Sequence, residues 1–410
     1  MATRRTLLLT GGALFACTVL ETSVSPALAQ HKPAAKPHGK AAATPPAPIG
    51  SPAQTPVGPL DVVARWAYIM DDNTGAVLLD KDGEASMPPS SMTKLMTAYV
   101  VYGMLKSGRL KLDQQLPVSE RAWRMGGSKM FVPLGSSVMV EDLIRGMIIQ
   151  SGNDACIVLA EAIAGSEEQF VELMNQKAKD MGLIATHFMN CTGWPDPDHR
   201  MCCKDIATVA HRLINDFPEY YHFDSEKSFK FNNIEQGNRN TLVLKGIADG
   251  LKTGHTEDGG YGLVASAKRN GRRVIVVLNG MPSMHVRGEE GERLLEWSFR
   301  EFEDVTLFTA SDTVDTARVW LGDRPNVPMV SGTDLLVTMP RNWRQAAKIE
   351  ISYDAPIKAP VRKGDVIGKL VVSGTGVPSM DVPLLAGADV GQLGLPSRGL
   401  AVLTRLVTGS

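Results

Sequence analysis

The alternation of apolar and polar residues divides the chain into distinct stretches. "WAYIMDDNTGAVLLDKD", residues 66–82, alternates around a turn at 72–75 and predicts a β-hairpin. Residues 260–267 and 273–278 give two more strand signals, joined by Arg269-Asn270-Gly271-Arg272, in which Asn-Gly is a strong hairpin turn. Between the strand pairs, apolar residues recur at helical spacing and predict helices over 91–105, 140–149, 154–164, 167–181 and 205–215. In the first of these, Met92, Leu95, Met96, Tyr99 and Val100 follow the i, i+3, i+4 pattern, and Pro88-Pro89 stops whatever precedes it. After a closing helix near 289–302 come short alternating runs ("DLLVTMP", "AKIEISYD", "DVIGKLVVSG") broken by Pro and Gly. The predicted fold is α+β: an antiparallel sheet covered by helices, its first and last strands brought together, followed by a small all-β domain.

The ends of the chain follow other rules. Arg4 and Arg5, an apolar stretch from Leu7 to Leu20, and Ala27-Leu28-Ala29 make residues 1–29 a secretory signal peptide with cleavage after Ala29. The arginine pair also resembles a twin-arginine signal. Residues 30–60 are nearly all Pro, Ala, Gly and a few Lys, with almost nothing to bury, and predict a disordered tether. The helix-and-sheet domain is expected over 61–302, the β-domain over 303–388 and a tail over 389–410, whose weakly amphipathic sequence leaves attachment to a membrane surface open. A net charge of -1 across 410 residues gives no basic field for nucleic acid. Cys156, Cys191, Cys202 and Cys203 remain after the leader, too few for a disulfide framework, and read either as buried thiols or as a Cys191 pairing with Cys202 or Cys203. The eight histidines show no metal-binding spacing, and nothing calls for a cofactor.

One residue does not fit an apolar helix. Lys94, one turn into the run "PPSSMTKLMTAYVV", must snorkel, pair or be held neutral. Ser91 stands three residues before it, on the same helical face, whereas Ser90 faces Thr93 and has no base. A serine hydroxyl becomes a useful nucleophile only when a base takes its proton, and a lysine can act as that base only when neutral. Burial and a second cation, Lys252, would both push Lys94 toward that state. Two further stretches complete a set: Ser151-Gly152-Asn153 between helices, and Lys252-Thr253-Gly254 leading a late strand. Each is weak alone. In this order behind a leader they form the S-x-x-K, S-x-N, K-T-G signature of class A β-lactamases and penicillin-binding proteins.

The chain thereby resembles the low-molecular-weight penicillin-binding proteins that are serine-type D-alanyl-D-alanine carboxypeptidases, over roughly 62–385. The resemblance also rests on "LIRGMIIQSGNDACIVLAE", "HFMNCTGWPDPDHR", "DGLKTGHTEDGGYGLVASAKRNGRR" and, in the second domain, "APIKAPVRKGDVIGKL". It implies a β-lactamase/transpeptidase-like catalytic domain and removal of the terminal D-alanine from peptidoglycan stem peptides through an acyl-enzyme on Ser91. It also implies acylation by β-lactams and a periplasmic location. By the same resemblance, Lys94 is the base, Ser151 relays a proton to the leaving amine, and Asn153 binds the substrate amide. Lys252, Thr253 and Gly254 bind the terminal carboxylate, with Arg287 as a further candidate, and the backbone amides of Ser91 and His255 form the oxyanion hole.

Three alternatives stay in view. A DD-endopeptidase would share every motif, and a scaffold would have no use for an intact Ser91 and Lys94. A β-lactamase would need a deacylating carboxylate, and Glu167, Glu168 and Glu172 read as an exposed helix face. Cys202-Cys203 departs from the small hydroxyl residues usual in the family at that point.

Overall fold

The computed structural model describes residues 2–8, 16–19, 52–374 and 377–399. Cleavage after Ala29, most of the 30–60 tether and residues 400–410 of the tail lie outside the described residues. The described residues divide into two compact units, one ending at Glu301 and one beginning at Phe302, the strands Ala2–Leu8 and Ala16–Val19 belonging to the second.

The first unit is built on a seven-stranded antiparallel sheet in the order Gly250–Thr256, Gly260–Arg269, Arg272–Met281, Trp66–Asp71, Val77–Lys81, Pro52–Thr55, Gly58–Asp61. Asn270 and Gly271 turn with φ of 50° and 85°, the doubly positive geometry for which Asn-Gly is suited. The late hairpin meets the early one through Val276↔Ile69 and Leu278↔Ala67, so the predicted closure of first strand on last is present. Arg272–Met281 is buried on both faces. Ile275 and Val277 join a core with Leu95, Ile157, Ile206 and Val209, while Val274, Val276 and Leu278 alternate to the other face. The helix Met284–Glu301 packs on this strand and on Gly260–Arg269, and Cys203–Asp216 packs on this strand and on Trp66–Asp71. Asp71 ends its strand in a buried ion pair with Arg272 (2.7 Å), locking the two hairpins in register.

The last part of the expected tether is ordered: Pro52–Thr55 and Gly58–Asp61 pair with each other, and Gln54 pairs with Asp80. Among the residues of these two strands only Ala53 is buried. Backbone pairing to a sheet edge holds them, and that leaves no apolar pattern to read. The closing helix begins at Met284 rather than near 289, which places Arg287 inside it.

The second unit is all-β apart from short helical turns. Thr313–Trp320, Asn326–Ser331, Val377–Ala386, Val366–Gly374 and Ala347–Asp354 form its main sheet, and Phe302–Phe308 pairs with Leu335–Pro340. Ile349, Ile351 and Tyr353 point inward at alternate positions against Leu370, Val372 and Leu384. Val390, assigned to the tail by sequence, is buried in this core and bridges Val361. Ala2–Leu8 adds to the Ala347–Asp354 edge with Ala16–Val19 beyond it, so loss of the leader would open that edge.

Candidate active site

The segment after Pro88-Pro89 enters its helix through a single tight turn. Ser90–Thr93 is 3-10, and the α-helix Lys94–Lys106 continues from it. A 3-10 turn eclipses side chains at i and i+3, which sets Ser91 and Lys94 more squarely over each other than an α-helix would. Lys94 Nζ lies 2.9 Å from Ser91 Oγ, 2.7 Å from Asn153 Oδ1 and 2.6 Å from the Thr192 carbonyl. A neutral amine has two N–H donors and one lone pair. In that form Asn153 and Thr192 would accept the two donors and leave the lone pair for the Ser91 hydroxyl; in the charged form all three oxygens accept from the ammonium. Lys94 is 1% exposed, and burial pushes its pKa below the usual lysine value, with Arg239 acting in the same direction.

Ser90, by contrast, is buried with an Oγ that has no hydrogen-bond partner among the described residues, at a φ of 47°. Gly193 explains how the turn is held: at φ 79° it lies so close that an added Cβ would stand 1.8 Å from the Ser90 carbonyl oxygen and 2.9 Å from the Ser91 nitrogen. His199 fastens the other side. Its Nδ1 accepts from the Met189 N–H (3.0 Å), so Nε2 carries the proton and donates to Thr93 Oγ1 (2.8 Å). Burial lowers its pKa to about 4, keeping the ring neutral. Gly193→Ala is therefore expected to displace the Ser90-Ser91 backbone and slow acylation by penicillin about 10²-fold, as sub-ångström to ångström misplacement of a reacting group does. A fluorescent-penicillin acylation rate, with a melting curve as control for folding, measures it; an unchanged rate would show that the turn does not depend on this close approach.

Ser151 and Asn153 arrive from the junction of Val140–Ile148 with Asn153–Ala164. Ser151 holds a left-handed φ of 61° and buries an Oγ without a hydrogen-bond partner among the described residues, the kind of strained polar position found where function demands it. Asn153 is set by three bonds: its N–H to the Ser128 carbonyl (2.7 Å), Nδ2 to Gly126 O (2.9 Å), and Oδ1 from Lys94. One Nδ2 proton remains for a ligand. Asp154 beside it accepts from the amides of Met130, Phe131 and Val132, which pins the facing loop.

Lys252, Thr253, Gly254 and His255 lie on the strand Gly250–Thr256, which packs on the Ser90–Thr93 turn. Gly254 must be glycine: a Cβ there would meet Ser90 Oγ at 2.1 Å. Lys252 is 2% exposed, and its Nζ makes one long contact to its neighbour's carbonyl (3.3 Å). Burial first, then Lys94, Arg239 and Arg287, push its pKa well below normal. Arg287 is buried rather than solvated, bonds the Arg239 carbonyl (3.0 Å), and is lowered to about 10 by burial and by Arg239. Lys252, Arg239 and Arg287 thus form a cation group in which Arg239 lowers both of the others. Asp224, a carboxyl in electrostatic range of Lys252, is itself raised well above the carboxylate range by burial and is a poor counterion. Such a group is built for an incoming anion. His255, at the exposed end of the strand, stacks on Tyr261 at 4.0 Å.

The structure thus brings together Ser91, Lys94 and Asn153 by direct bonds and sets Lys252, Thr253, Gly254 and Arg287 on the strand and helix alongside. Arg239, Thr192, Gly193 and His199 were not singled out by the sequence as parts of this site. Glu167 corrects an expectation: it is buried, not exposed, with Oε1 accepting from the Cys191 N–H (3.1 Å) and Oε2 from Arg121 (2.6 Å). Oε1 holds the loop that carries Thr192 and Oε2 is taken by Arg121, so Glu167 does not present a free carboxylate to a deacylating water. Cys156, Cys191, Cys202 and Cys203 are all buried free thiols, which excludes the Cys191 pairing in this structure.

A serine paired with a buried lysine, an S-x-N loop and a cation-lined edge strand on an antiparallel sheet define a serine acyl-transfer enzyme of the penicillin-binding type. The family model described as D-alanyl-D-alanine carboxypeptidase matches residues 52–282, and that of the penicillin-binding protein 5 C-terminal domain matches residues 302–392, so the chain belongs to the D-alanyl-D-alanine carboxypeptidase family. It is 39% identical to the D-alanyl-D-alanine carboxypeptidase DacC of Escherichia coli over 86% of this chain and 90% of that protein. The crystal structure of penicillin-binding protein 5 from Haemophilus influenzae, 37% identical, superposes with a TM-score of 0.72 over 82% of this chain and 99% of that one. Penicillin-binding protein D2 from Listeria monocytogenes in its ampicillin-bound form, 27% identical, gives 0.54 over 58% of this chain and 98% of that one.

Proposed function

We propose that this carboxypeptidase removes the terminal D-alanine from stem peptides ending in D-Ala-D-Ala, with Ser91 as nucleophile and Lys94 as its base. The observation that supports the reading is the buried Lys94 amine within hydrogen-bond distance of Asn153 Oδ1, the Thr192 carbonyl and Ser91 Oγ, so that a neutral amine can give its two donors to the first two and its lone pair to Ser91. The Ser91 proton passes to Nζ as Oγ bonds the penultimate carbonyl carbon, and the resulting oxyanion faces the Ser91 and His255 amides. When the intermediate collapses, the C–N bond breaks and the leaving amine takes a proton through Ser151. Water then hydrolyses the ester to free Ser91. The terminal carboxylate is held by Lys252, Thr253, Arg239 and Arg287. A β-lactam enters the same steps but leaves no amine to depart, so its acyl-enzyme persists.

The leader supports export to the periplasm, with domain limits near 1–29, 30–60, 61–302, 303–388 and 389–410 as set out from the sequence. No helix among the described residues is long and apolar enough to cross a membrane; the tail is proposed to give at most a weak peripheral attachment. Incubating the purified protein with a diacyl-Lys-D-Ala-D-Ala peptide is expected to release free D-alanine. Cleavage of crosslinked stem dimers alone, with no D-alanine from the peptide, would replace this reading by the endopeptidase one.

A further inference from the structure

Thr192 and Gly193 share one peptide unit, and its two ends serve opposite partners. Its carbonyl accepts from Lys94 Nζ at 2.6 Å, and its N–H donates to Asn190 Oδ1 at 2.7 Å. A peptide is planar, with N–H and C=O directed oppositely, so the group that holds the N–H also aims the carbonyl. The same Asn190 oxygen accepts from the Thr192 N–H (3.2 Å), the Thr192 hydroxyl (3.0 Å) and the Trp194 N–H (2.9 Å), while Nδ2 donates to the Trp194 carbonyl (3.0 Å). Backbone donors converging on one atom fix which end of the carboxamide is the oxygen. The residue before the peptide is clamped as well: the Cys191 N–H donates to Glu167 Oε1 (3.1 Å), and the Cys191 carbonyl accepts from Thr97 Oγ1 (2.7 Å). Gly193, at the other end of the unit, is the residue that lies against the Ser90 carbonyl and the Ser91 nitrogen.

We propose that Asn190 is a positioning residue for the acylation step: through one peptide unit it aims the Thr192 carbonyl at the Lys94 amine and seats Gly193 against the turn that carries Ser91. The proposal rests on the reading of Ser91 as nucleophile and Lys94 as its base. An asparagine that satisfies the backbone of its own turn ordinarily serves that turn alone. Here the groups the turn presents outward meet the two reacting side chains' own segment, Lys94 lying 98 residues away in the chain. A neutral amine has one lone pair, and its direction is set by where the two donors go. With the Thr192 carbonyl turned aside, one donor is released and the lone pair loses its alignment with Ser91 Oγ, though both side chains remain. A peptide whose N–H is already donated is also the better acceptor at its carbonyl, so the bond to Asn190 strengthens the bond to Lys94. The cations that take the terminal carboxylate come from other elements, so ligand binding is spared.

The test is single-turnover acylation by penicillin across pH, resolved into a saturating rate constant and a dissociation constant, for wild type, Asn190→Ala and Asn190→Asp. Asn190 is half-buried, and melting curves should confirm that both variants fold. Asn190→Ala is expected to lower the saturating rate constant about tenfold, the effect of one lost hydrogen bond, and to leave the dissociation constant nearly unchanged. Asn190→Asp keeps an accepting oxygen in the same place and should restore most of the rate. The pH profile separates positioning from general loosening. A carbonyl that accepts from Nζ favours the ammonium, so losing it lowers the Lys94 pKa and moves the rising limb to lower pH in Asn190→Ala. A loosened loop that admits water would resolvate the ammonium and move the limb to higher pH. A wild-type rate in Asn190→Ala, or a limb that stays in place or moves up, would overturn the positioning role and leave Lys94 as the base. A wild-type profile with no rising limb would instead remove Lys94 as the base, and this proposal with it.

Discussion

Ser91→Ala is expected to yield no covalent adduct with penicillin and to lower D-alanine release by at least about 10⁴-fold, as loss of a nucleophile does in other serine hydrolases. Ser90→Ala should keep both. The two serines are adjacent, buried or nearly so, and share one 3-10 turn, so composition does not separate them. Geometry does: Ser91 Oγ faces the Lys94 amine at 2.9 Å, whereas Ser90 Oγ is enclosed against Gly254 with no hydrogen-bond partner among the described residues. Ser90 serves instead through its backbone, whose φ of 47° aims the following residue. Mass spectrometry after brief exposure to penicillin should locate one adduct, on the peptide that carries Ser91. The adduct should persist, since Glu167 is held by Arg121 and Cys191. An adduct on the Ser91→Ala protein would displace Ser91 from its role, and one that vanishes within the mixing time would point to a β-lactamase.

What could be read in the sequence, and what could not, divides along the range of the interactions. Asn270-Gly271 announced its hairpin because two residues suffice to specify that turn. Lys94 announced itself because a lysine three residues after a serine, within an apolar helix, needs a local reason. Arg239 gave no such signal. It lies in "GNRNTLV", where an arginine among turn residues looks like surface, and only the fold of the Met284–Glu301 helix against it makes it part of the cation group. The Thr192 carbonyl that holds Lys94 is a backbone group and carries no residue preference at all. Glu167 misled because helical periodicity reports which face is apolar, not what loop folds over the polar one; Cys191 and Arg121 come from 24 and 46 residues away. Pro52–Thr55 and Gly58–Asp61 looked like tether because two strands added at a sheet edge by backbone bonds show no apolar stripe.

The two active-site lysines look alike in sequence and should fail differently. Lys94→Arg is expected to cost about 10²- to 10⁴-fold in acylation by penicillin and peptide alike, because a guanidinium does not give up its proton near neutral pH. Lys94→Met, close in volume and without charge, should lose as much, which separates loss of the base from misfit of a larger side chain. Lys252 has a different task. Lys252→Gln removes the anchor and should weaken both ligands by about 2 to 4 kcal/mol, the range for a buried charge contact; Lys252→Arg keeps the charge and should retain part of the rate. The pH profile discriminates further. Lys94 acts only when neutral, so kcat/KM rises with pH through its pKa, which burial has already moved down. The charge on Lys94 depresses Lys252, and coupling between two charges is mutual, so each cation favours the neutral form of the other. Removing the charge at Lys252 therefore favours protonated Lys94, raises its pKa and moves the rising limb to higher pH. Lys252→Arg should leave the limb near its wild-type position. A limb that stays put in Lys252→Gln would mean that burial alone sets the Lys94 pKa, and near-normal acylation in Lys94→Arg would pass the role of base to Ser151 or a bound water.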